Sequence, residues 1–448
     1  MRHCELPEFQ CHWSGRCRRR ARCNQAVLHD RFVINTAPPQ PWFGSKRVVA
    51  KLKQKHGHHA QPNRHQFATP MAEHQGLHSQ IAPLSVGAGF QPLPAPTGQA
   101  PFRLNLTDII PDQVAATQSA DGMCMHLIAD TGGVLNPTPQ ELVAAGMITD
   151  ASIVGPYGKP AFAYHCGDVI YFDGQASRYY EQFYLPYEYY PLPILGIPGN
   201  HDGDIYDNGT LVDTVPSLTA FVQNFCAPQA GTRTAEAMDI PRTAMIQPNV
   251  YFTLQTPFAT VIGLYTNVPE GGEVRQDQRD WFAGELAAAP TDKPIIVAMH
   301  HPIHSLDAYH SGSKTMAGVL AEAESASGVA AHIVFAGHVH NYQRFTETDA
   351  SGNQKPFIVA GFGGYHNLHR MARVNGADIV APFTPPDEPS LTLENFVDDR
   401  FGFLRLDIDR NIIRIQTYTV PRPQEQYRTA PRLRDVMTLN WKTRRLGP

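Results

Sequence analysis

The chain has 448 residues, of which 42% are hydrophobic and 17% charged, and its formal net charge is −4 at pH 7. This length allows two or three average domains, or one large catalytic domain with an extension. The charge balance does not suggest a nucleic-acid-binding protein. We expect no transmembrane helix, because no apolar run is long enough. The basic stretch "RCRRRARC" is not followed by the apolar core of a secretory signal, so a soluble protein of the cytoplasm or of an exported compartment is expected.

Residues 1–118 differ in composition from the rest of the chain. Residues 1–60 contain twelve basic and three acidic residues, so they carry +9 and the remainder carries −13. Nine of the 21 histidines and four of the seven cysteines also lie in residues 1–118. The cysteines lack the paired C-x-x-C spacing of a zinc module. We therefore predict a disordered, low-complexity basic and His-rich extension over residues 1–118.

From about residue 120, short apolar runs alternate with stretches typical of helices. The runs lack alternating polarity, which indicates strands buried on both faces: "MCMHLIAD", "AFAYHCGD", "PLPILGIPGN", "ATVIGLYTN", "PIIVAMHH", "HIVFAGHVH" and "PFIVAGFGG". The predicted helices are "TPQELVAAGM", "RYYEQFYLPYEYY", "VPSLTAFVQNF", "QDQRDWFAGELAAA" and "TMAGVLAEAESA". This alternation predicts a layered α/β domain over residues 119–425.

Two stretches near the end of the chain have other patterns. "FGFLRLDIDRNIIRIQTYTV" alternates apolar and polar residues around Asp409, Arg410 and Asn411, and predicts an antiparallel hairpin. Residues 366–400 contain several prolines and predict a long connection that forms a flap. We assign residues 426–448 to a C-terminal tail.

Side chains with oxygen or nitrogen donors follow five of the predicted strands. In chain order they are Asp130, Asp168 with Tyr171, Asn200, His300, and His338 with His340. In a layered α/β fold, the carboxyl ends of the strands share one rim, so we expect these side chains to meet.

Each of these side chains alone has an ordinary interpretation. The aspartates are typical helix caps, the asparagine is a typical turn residue, the tyrosine packs, and a buried histidine is commonly a hydrogen-bonded core residue. Donors at five separate strand ends are not explained in this way, and together they indicate a metal site.

The chemistry of the donors favours two different ions. Carboxylates and a phenolate suit iron(III), whereas imidazoles and an amide oxygen suit a divalent ion such as zinc, iron(II) or manganese. A carboxylate can bridge two ions about 3.5–4 Å apart, and such a pair stabilises the attacking and leaving oxygens of a phosphoryl displacement. The pattern therefore predicts a binuclear centre.

The order of the motifs resembles a known family. D-x-G, G-D-x-x-Y, G-N-H-D, V-x-x-H and G-H-x-H, found here between Asp130 and His340, are similar to the calcineurin-like metallophosphoesterase superfamily. The superfamily usually has a histidine at position 132, where this chain has Gly132. Tyr171 stands where the purple acid phosphatase branch has a metal-binding tyrosine. The resemblance implies a four-layer αββα sandwich and that branch, although residues 1–118 lack the strand series of the plant-type N-terminal domain.

The resemblance also implies a role for each residue. The ferric site takes Asp130, Tyr171 and His340, the divalent site takes Asn200, His300 and His338, and Asp168 bridges the two ions. His201 contacts the substrate phosphate or protonates the leaving group, and Asp202 orients it. His310 is a candidate for a further catalytic histidine, and His301 and His304 are candidates for substrate binding or for structural roles. Tyr342 and Arg344 follow the last motif, and Tyr342 is expected to pack.

The expected function is the hydrolysis of phosphate monoesters by a metal-bound hydroxide, as in an acid phosphatase, with a small-molecule phosphate ester as substrate. One alternative is a phosphodiesterase acting on nucleotides or phospholipid head groups. A distant alternative is a catalytically silent metal-binding scaffold, which the complete ligand set argues against. The sequence indicates neither the physiological substrate nor the oligomeric state.

Overall fold

The computed structural model describes residues 89–207, 210–212, 214–374, 376–422, 425 and 430–447. The strands are β1 (Arg103–Asn105), β2 (Gly122–Ile128), β3 (Ala163–Cys166), β4 (Ile194–Ile197), β5 (Tyr206–Asp207), β6 (Thr210–Leu211), β7 (Phe252–Gln255), β8 (Thr260–Gly263), β9 (Ile295–Ala298), β10 (Ile333–Ala336), β11 (Tyr342–Thr348), β12 (Gln354–Ala360), β13 (Arg373–Val374), β14 (Ala377–Asp378), β15 (Leu391–Val397), β16 (Gly402–Asp409), β17 (Ile412–Thr419), β18 (Arg432–Asn440) and β19 (Arg445–Gly447). The α-helices are α1 (Pro111–Ser119), α2 (Thr138–Ala151), α3 (Asn200–Gly203), α4 (Thr219–Phe225), α5 (Gln276–Ala288) and α6 (Lys314–Ser327). Tyr180–Tyr184 form a single π-helical turn.

Two large sheets hold most of these strands. The first has the order β1-β7-β8-β9-β10-β12-β11-β15, and the second has the order β19-β18-β17-β16-β2-β3-β4. In the first sheet β8, β9, β10 and β12 run parallel. In the second, β2, β3 and β4 run parallel, with Leu127 opposite Tyr164 and Tyr164 opposite Leu195. The carboxyl ends of each parallel set therefore share one edge of their sheet.

The main hydrophobic core lies between the two sheets. Strand β2 contributes Met125 and Leu127 to it, and the first sheet contributes Phe252 and Phe335. On the outer face of the second sheet, α2 packs Val143 and Met147 against residues such as Phe403. On the outer face of the first sheet, α5 and α6 cover a third cluster that includes Phe282, Leu320 and Val334. The predicted four-layer αββα arrangement is confirmed.

The predicted strands and most of the predicted helices are present. All seven apolar runs form strands, and β2 is buried along its whole length. The predicted hairpin is β16–β17, in which the Asp409 carboxylate accepts hydrogen bonds from the backbone N–H groups of Asn411 and Ile412. "RYYEQFYLPYEYY" does not form a continuous helix, because Pro186 cannot donate a backbone hydrogen bond. Among the described residues, no helix is both long and apolar enough to cross a membrane.

The boundaries of the folded part differ from those predicted. Residues 1–88 lie outside the described part of the chain, but residues 89–118, which were assigned to the disordered extension, contain β1 and α1. Leu104 lies opposite Leu254 in the parallel pairing of β1 with β7, and Leu104 and Leu106 are buried in the core between the sheets. Composition did not reveal this, because the partners of β1 lie far along the chain and its own apolar run is short.

The predicted C-terminal tail is also partly folded. Within residues 426–448, β18 pairs with β17 and β19 pairs with β18, so both strands extend the second sheet. The Asp435 carboxylate accepts hydrogen bonds from Tyr342 Oη and Arg344 Nε of the first sheet. Tyr342 is buried, as expected, and both side chains tie the two sheets together.

Removing residues 1–119 should destabilise the protein more than removing residues 1–88 does. The longer deletion takes away Leu104 and Leu106, and a fully buried leucine is worth about 1.5–3 kcal/mol. Urea unfolding of the two shortened chains measures the difference, which should reach several kcal/mol. Leu104→Ala in the full chain is the point-mutant control and should cost about 2–5 kcal/mol. Equal stability of the two shortened chains would show that β1 and α1 are accessory.

Candidate metal centre

The seven predicted metal ligands come together where the carboxyl edges of the two sheets meet. Asp130 and Asp168 each stand two residues beyond a strand of the second sheet, β2 and β3, and Asn200 begins α3 after β4. His300 and His338 each stand two residues beyond β9 and β10 of the first sheet. The parallel sets of both sheets thus deliver ligands to one place, and most of these side chains are fully buried.

Three of these residues adopt backbone angles that are uncommon for side-chain-bearing residues. The φ angles of Asp130, Asp168 and His338 are 55°, 55° and 67°, in the left-handed region. Hydrogen bonds between the loops hold this conformation, including Asp130 N–H to Gly167 O at 3.0 Å and His338 N–H to an Asp130 carboxylate oxygen at 2.9 Å. Such strained positions cluster at functional sites when the surroundings enforce them.

One group of donors matches the predicted divalent site. Asn200 Oδ1 lies 2.9 Å from His300 Nε2 and 3.0 Å from His338 Nδ1. Asp168 Oδ2 lies 3.3 Å from the same His300 nitrogen. The backbone N–H of His201 donates to the other Asp168 oxygen at 2.9 Å, which fixes the carboxylate plane. Four donor atoms therefore face one point.

A second group matches the predicted ferric site. Tyr171 Oη lies 3.2 Å from Asp130 Oδ1 and 3.3 Å from His340 Nε2. His340 Nε2 and Asp130 Oδ1 are 3.6 Å apart. Suitable ligand atoms of Asp130, Asp168 and His300 all lie within 4.8 Å of one another, so Asp168 stands between the two groups.

Outer hydrogen bonds set the tautomer of each ligand histidine. His300 Nδ1–H donates to Cys166 O at 2.9 Å, and His340 Nδ1–H donates to Asn367 O at 3.1 Å. His338 Nε2–H donates to Glu270 Oε1 at 3.2 Å. Because these acceptors hold the outer N–H groups, the lone pairs of the inner nitrogens point into the site. This is the arrangement of metal-binding histidines.

The charges of the site also suit cations. Burial raises the pKa of Asp130 well above its usual value, and the nearby Asp168 charge adds to this effect. Burial acts to lower the pKa of His300, but the Asp168 carboxylate outweighs it and raises this pKa to about 9. No lysine or arginine of the described part of the chain pairs with either carboxylate. The donor set, the tautomers and two carboxylates whose charged partners are themselves candidate ligand histidines fit two metal ions.

Gly132 leaves the space that Tyr171 occupies. A Cβ atom at position 132 would lie 2.7 Å from Tyr171 Cδ2 and would also clash with Gln182 Oε1. Gln182 holds the Tyr171 backbone from both sides, since its Oε1 accepts from Tyr171 N–H at 2.8 Å and its Nε2 donates to Tyr171 O at 2.7 Å. The Tyr365 ring stacks on Tyr171 at 4.0 Å between centroids. The tyrosine is therefore fixed in its direction toward the centre.

His201 lies next to the centre, but Asp202 does not orient it. His201 Nδ1–H donates to Phe172 O at 2.8 Å, and its ring centroid is 4.5 Å from that of Tyr171. The Asp202 carboxylate instead accepts hydrogen bonds from the backbone N–H groups of Val169, Ile170 and Gly199. The predicted role of Asp202 is therefore wrong. Its carboxylate holds the loop after β3 against α3, because these loop amides have no strand partner.

The three remaining candidate histidines have different surroundings. His310 reaches the site, with Nδ1 2.7 Å from Glu270 Oε1 and its ring 4.4 Å from that of His338. His301 packs behind His338 at 4.3 Å between centroids, and its Nδ1 lies 2.8 Å from Thr266 Oγ1.

His304 does not lie with the other candidates. Its ring packs on Phe357 at 4.6 Å between centroids, and it lines a cavity of about 280 Å³ with Leu320 and Glu324, beside α6. This part of the structure belongs to the outer core of the first sheet. The substrate-binding prediction for His304 therefore has no support in the geometry.

Several residues of the site were not predicted. Glu270 lies seven residues after the end of β8, well beyond the strand-end positions of Asp130 and His300, so its place in the sequence did not reveal it. Asp307 Oδ2 accepts from the backbone N–H of His310 at 3.0 Å and lies 3.1 Å from His369 Nδ1. The His369 backbone N–H donates to His340 O at 2.9 Å. Part of the predicted 366–400 flap thus supports the centre, and β15 within it is an edge strand of the first sheet.

The sequence matches a protein-family model and a curated relative. The family model for calcineurin-like phosphoesterase matches residues 127–342. Purple acid phosphatase 21 of Arabidopsis thaliana is 28% identical over 168 residues, which are 36% of this chain and 34% of that protein. This chain therefore matches about a third of the length of that curated relative.

Two solved structures are also similar. A purple acid phosphatase from yellow lupin (Lupinus luteus) seeds gives a TM-score of 0.48 at 15% identity, covering 71% of this chain and 54% of that one. A dimetal phosphatase from Danio rerio gives 0.40 at 13% identity, covering 66% and 95%.

Residues 127–342, just under half of the chain, match the calcineurin-like phosphoesterase family model. The predicted resemblance is confirmed, and the sequence similarity to purple acid phosphatase 21 supports the purple acid phosphatase-like branch.

Asp168→Asn should reduce metal content at both positions, because this carboxylate stands between the two donor groups. His201→Ala is the matched comparison, since its ring lies beside the centre and its backbone N–H still reaches Asp168. We expect His201→Ala to retain about two ions per chain by elemental analysis. Full metal content in Asp168→Asn, or loss of metal in His201→Ala, would contradict the arrangement.

Proposed function

We propose that the protein is a binuclear metal-dependent phosphohydrolase that cleaves phosphate monoesters, as purple acid phosphatases do. The observation that carries the proposal is that two groups of donor side chains meet at Asp168. One group consists of imidazoles and an amide, and the other includes the phenol of a tyrosine. Iron(III) suits the group of Asp130, Tyr171 and His340. A divalent ion suits the group of Asn200, His300 and His338.

The chemistry of such a pair is well defined in general terms. When bound, two metal ions polarise the phosphoryl oxygens, lower the pKa of a coordinated water, and stabilise the charge of an in-line displacement. The protein supplies the fixed geometry. The inner lone pairs of the three ligand histidines are oriented before substrate arrives, because their outer N–H groups are already held.

His201 is proposed as the group that transfers a proton to the leaving alcohol. Since its Nδ1–H is held by Phe172 O, the proton for the leaving oxygen comes from Nε2–H of the imidazolium form, which leaves a neutral ring. His310 is proposed to contact the phosphate, because its ring lies beside His338. A positioned general acid contributes about 10²–10⁴-fold to rate. His201→Ala is therefore expected to lower kcat by that factor.

A substrate panel tests the type of reaction. The metal-loaded protein should hydrolyse p-nitrophenyl phosphate, a monoester, at a higher kcat/KM than bis(p-nitrophenyl) phosphate, a diester. Asp168→Asn is the inactive control. Preference for the diester would move the assignment to a phosphodiesterase acting on nucleotides or phospholipid head groups. No hydrolysis by a protein with two bound ions would favour a metal-binding scaffold.

The absorption spectrum tests the ferric site. A phenolate bound to iron(III) gives a charge-transfer band, so the oxidised iron-loaded protein should be pink to purple. Tyr171→Phe should abolish the band. Gly132→Ala should weaken or abolish it as well, because the new methyl group displaces the Tyr171 ring. Gly284→Ala in α5 is the control, since a Cβ there meets nothing within 4 Å. A colourless wild type with two ions would point to zinc or manganese at both positions.

A further inference from the structure

Glu270 contacts both the metal ligand His338 and the substrate-facing candidate His310. Its Oε1 atom lies 3.2 Å from His338 Nε2 and 2.7 Å from His310 Nδ1. The side chain is 11% exposed, whereas those of the two histidines are 4% and 0% exposed. A single carboxylate oxygen therefore accepts a hydrogen bond from each of two buried imidazoles.

The loop that carries Glu270 is anchored at several points. Gly271 and Gly272 have φ angles of +77° and +79°, a conformation that favours glycine. Gly272 N–H donates to Pro269 O at 2.8 Å. Ser313 Oγ donates to Gly271 O and also accepts from Met316 N–H as the N-cap of α6. The position of the carboxylate is thus set by the turn and by the start of α6.

Glu270 differs in chemical type from the other groups that accept hydrogen bonds from the ligand histidines. His300 and His340 donate their outer N–H groups to backbone carbonyls, whereas His338 donates to a carboxylate. A carboxylate raises the basicity of the imidazole more than a neutral carbonyl does, and loss of such a partner typically weakens metal binding about 10–100-fold. Of the three ligand histidines, His338 is therefore the one whose strength as a metal ligand depends on a side chain that a mutation can replace.

We propose that Glu270 is a positioning residue that couples the divalent-ion site to substrate binding, by holding His338 toward the ion and His310 toward the phosphate. The proposal rests on the proposed function for the role of His310, and its metal-binding part rests on the donor geometry alone. With its Nδ1–H held by Glu270, His310 can direct Nε2 toward substrate, just as His338 directs Nδ1 toward Asn200.

A third metal ion at this place is the rival interpretation, because Glu270, His310 and His338 also have donor atoms within 4.8 Å of one another. The geometry favours hydrogen bonds, because a single oxygen, Oε1 of Glu270, lies 2.7 Å from His310 Nδ1 and 3.2 Å from His338 Nε2. His338 also directs its Nδ1 into the divalent site, so only its outer N–H faces Glu270.

The test compares Glu270→Gln, which keeps the size of the side chain but removes its charge, with Glu270→Asp, which keeps the charge. Glu273→Gln is the matched control on the same loop, where the side chain is 44% exposed and lies 3.5 Å from Arg275. The full-length iron-loaded protein is titrated with zinc, and the Kd of the divalent site, the total metal content and the visible spectrum are recorded. KM and kcat for p-nitrophenyl phosphate are then measured at saturating zinc.

For Glu270→Gln we expect a Kd for zinc about 10–100-fold weaker, an unchanged tyrosine–iron band, and a raised KM at saturating zinc. Glu270→Asp should recover part of the zinc affinity, and Glu273→Gln should match the wild type. A zinc Kd within twofold of the wild type would overturn the proposal. A wild type with three metal equivalents per chain and a variant with two would also overturn the proposal. Equal loss of iron and zinc in both Glu270 variants would overturn it as well.

The zinc titration does not depend on catalysis. If the wild type binds both ions but hydrolyses no monoester, the proposed function fails, while the Kd of Glu270→Gln still decides the metal-binding part. A raised Kd with an unchanged KM would overturn the coupling to substrate. Thermal unfolding of the metal-free variants separates these effects from a loss of fold, and Glu270→Asp supplies the result if Glu270→Gln does not fold.

Discussion

The hydrogen bonds from the His338 backbone N–H to the Asp130 carboxylate join the two sheets at the point where the centre is built. Asp130 extends from the second sheet and His338 from the first, and the distances to the two carboxylate oxygens are 3.0 and 2.9 Å. The same carboxylate accepts from Tyr171 Oη. Each donor group contains residues from both sheets, so the spacing between the sheets at this edge decides whether either group can form.

Polar contacts elsewhere in the second sheet hold the strands that carry these ligands. On its outer face, His126 of β2 lies opposite Arg405 of β16, and both side chains contact the Asp150 carboxylate of α2 at 2.8 and 2.9 Å. Buried ion pairs contribute little net stability relative to apolar packing, but removal of one partner is costly. This network therefore fixes α2 and β16 in register with β2, the strand that leads directly to Asp130.

The sequence predicted the centre better than it predicted the limits of the fold. Donors such as Asp130 and His338 follow strong apolar runs, and strand polarity alone brings such positions to one edge. The role of Asp202 was missed because its carboxylate serves loop amides, and which amides lack partners depends on the folded backbone. For His304 the sequence left substrate binding and a structural role open, because the direction of a side chain after a strand depends on the loop conformation. β1 was missed because its three residues gain their stability from pairing with a distant strand.

Tyr171 and Gly132 also limit how this site can change over many generations. A side chain at position 132 and the ring at position 171 require the same volume, so a centre with a histidine at 132 and one with this tyrosine exclude each other here. A single replacement at 132 crowds both the ring and Gln182, whereas a single replacement at 171 removes a donor before another is present. Exchange of one ligand type for the other must therefore pass through an intermediate with an incomplete or distorted centre. A change of ligand type at this site therefore requires substitutions at both positions, because the one volume holds either side chain but not both.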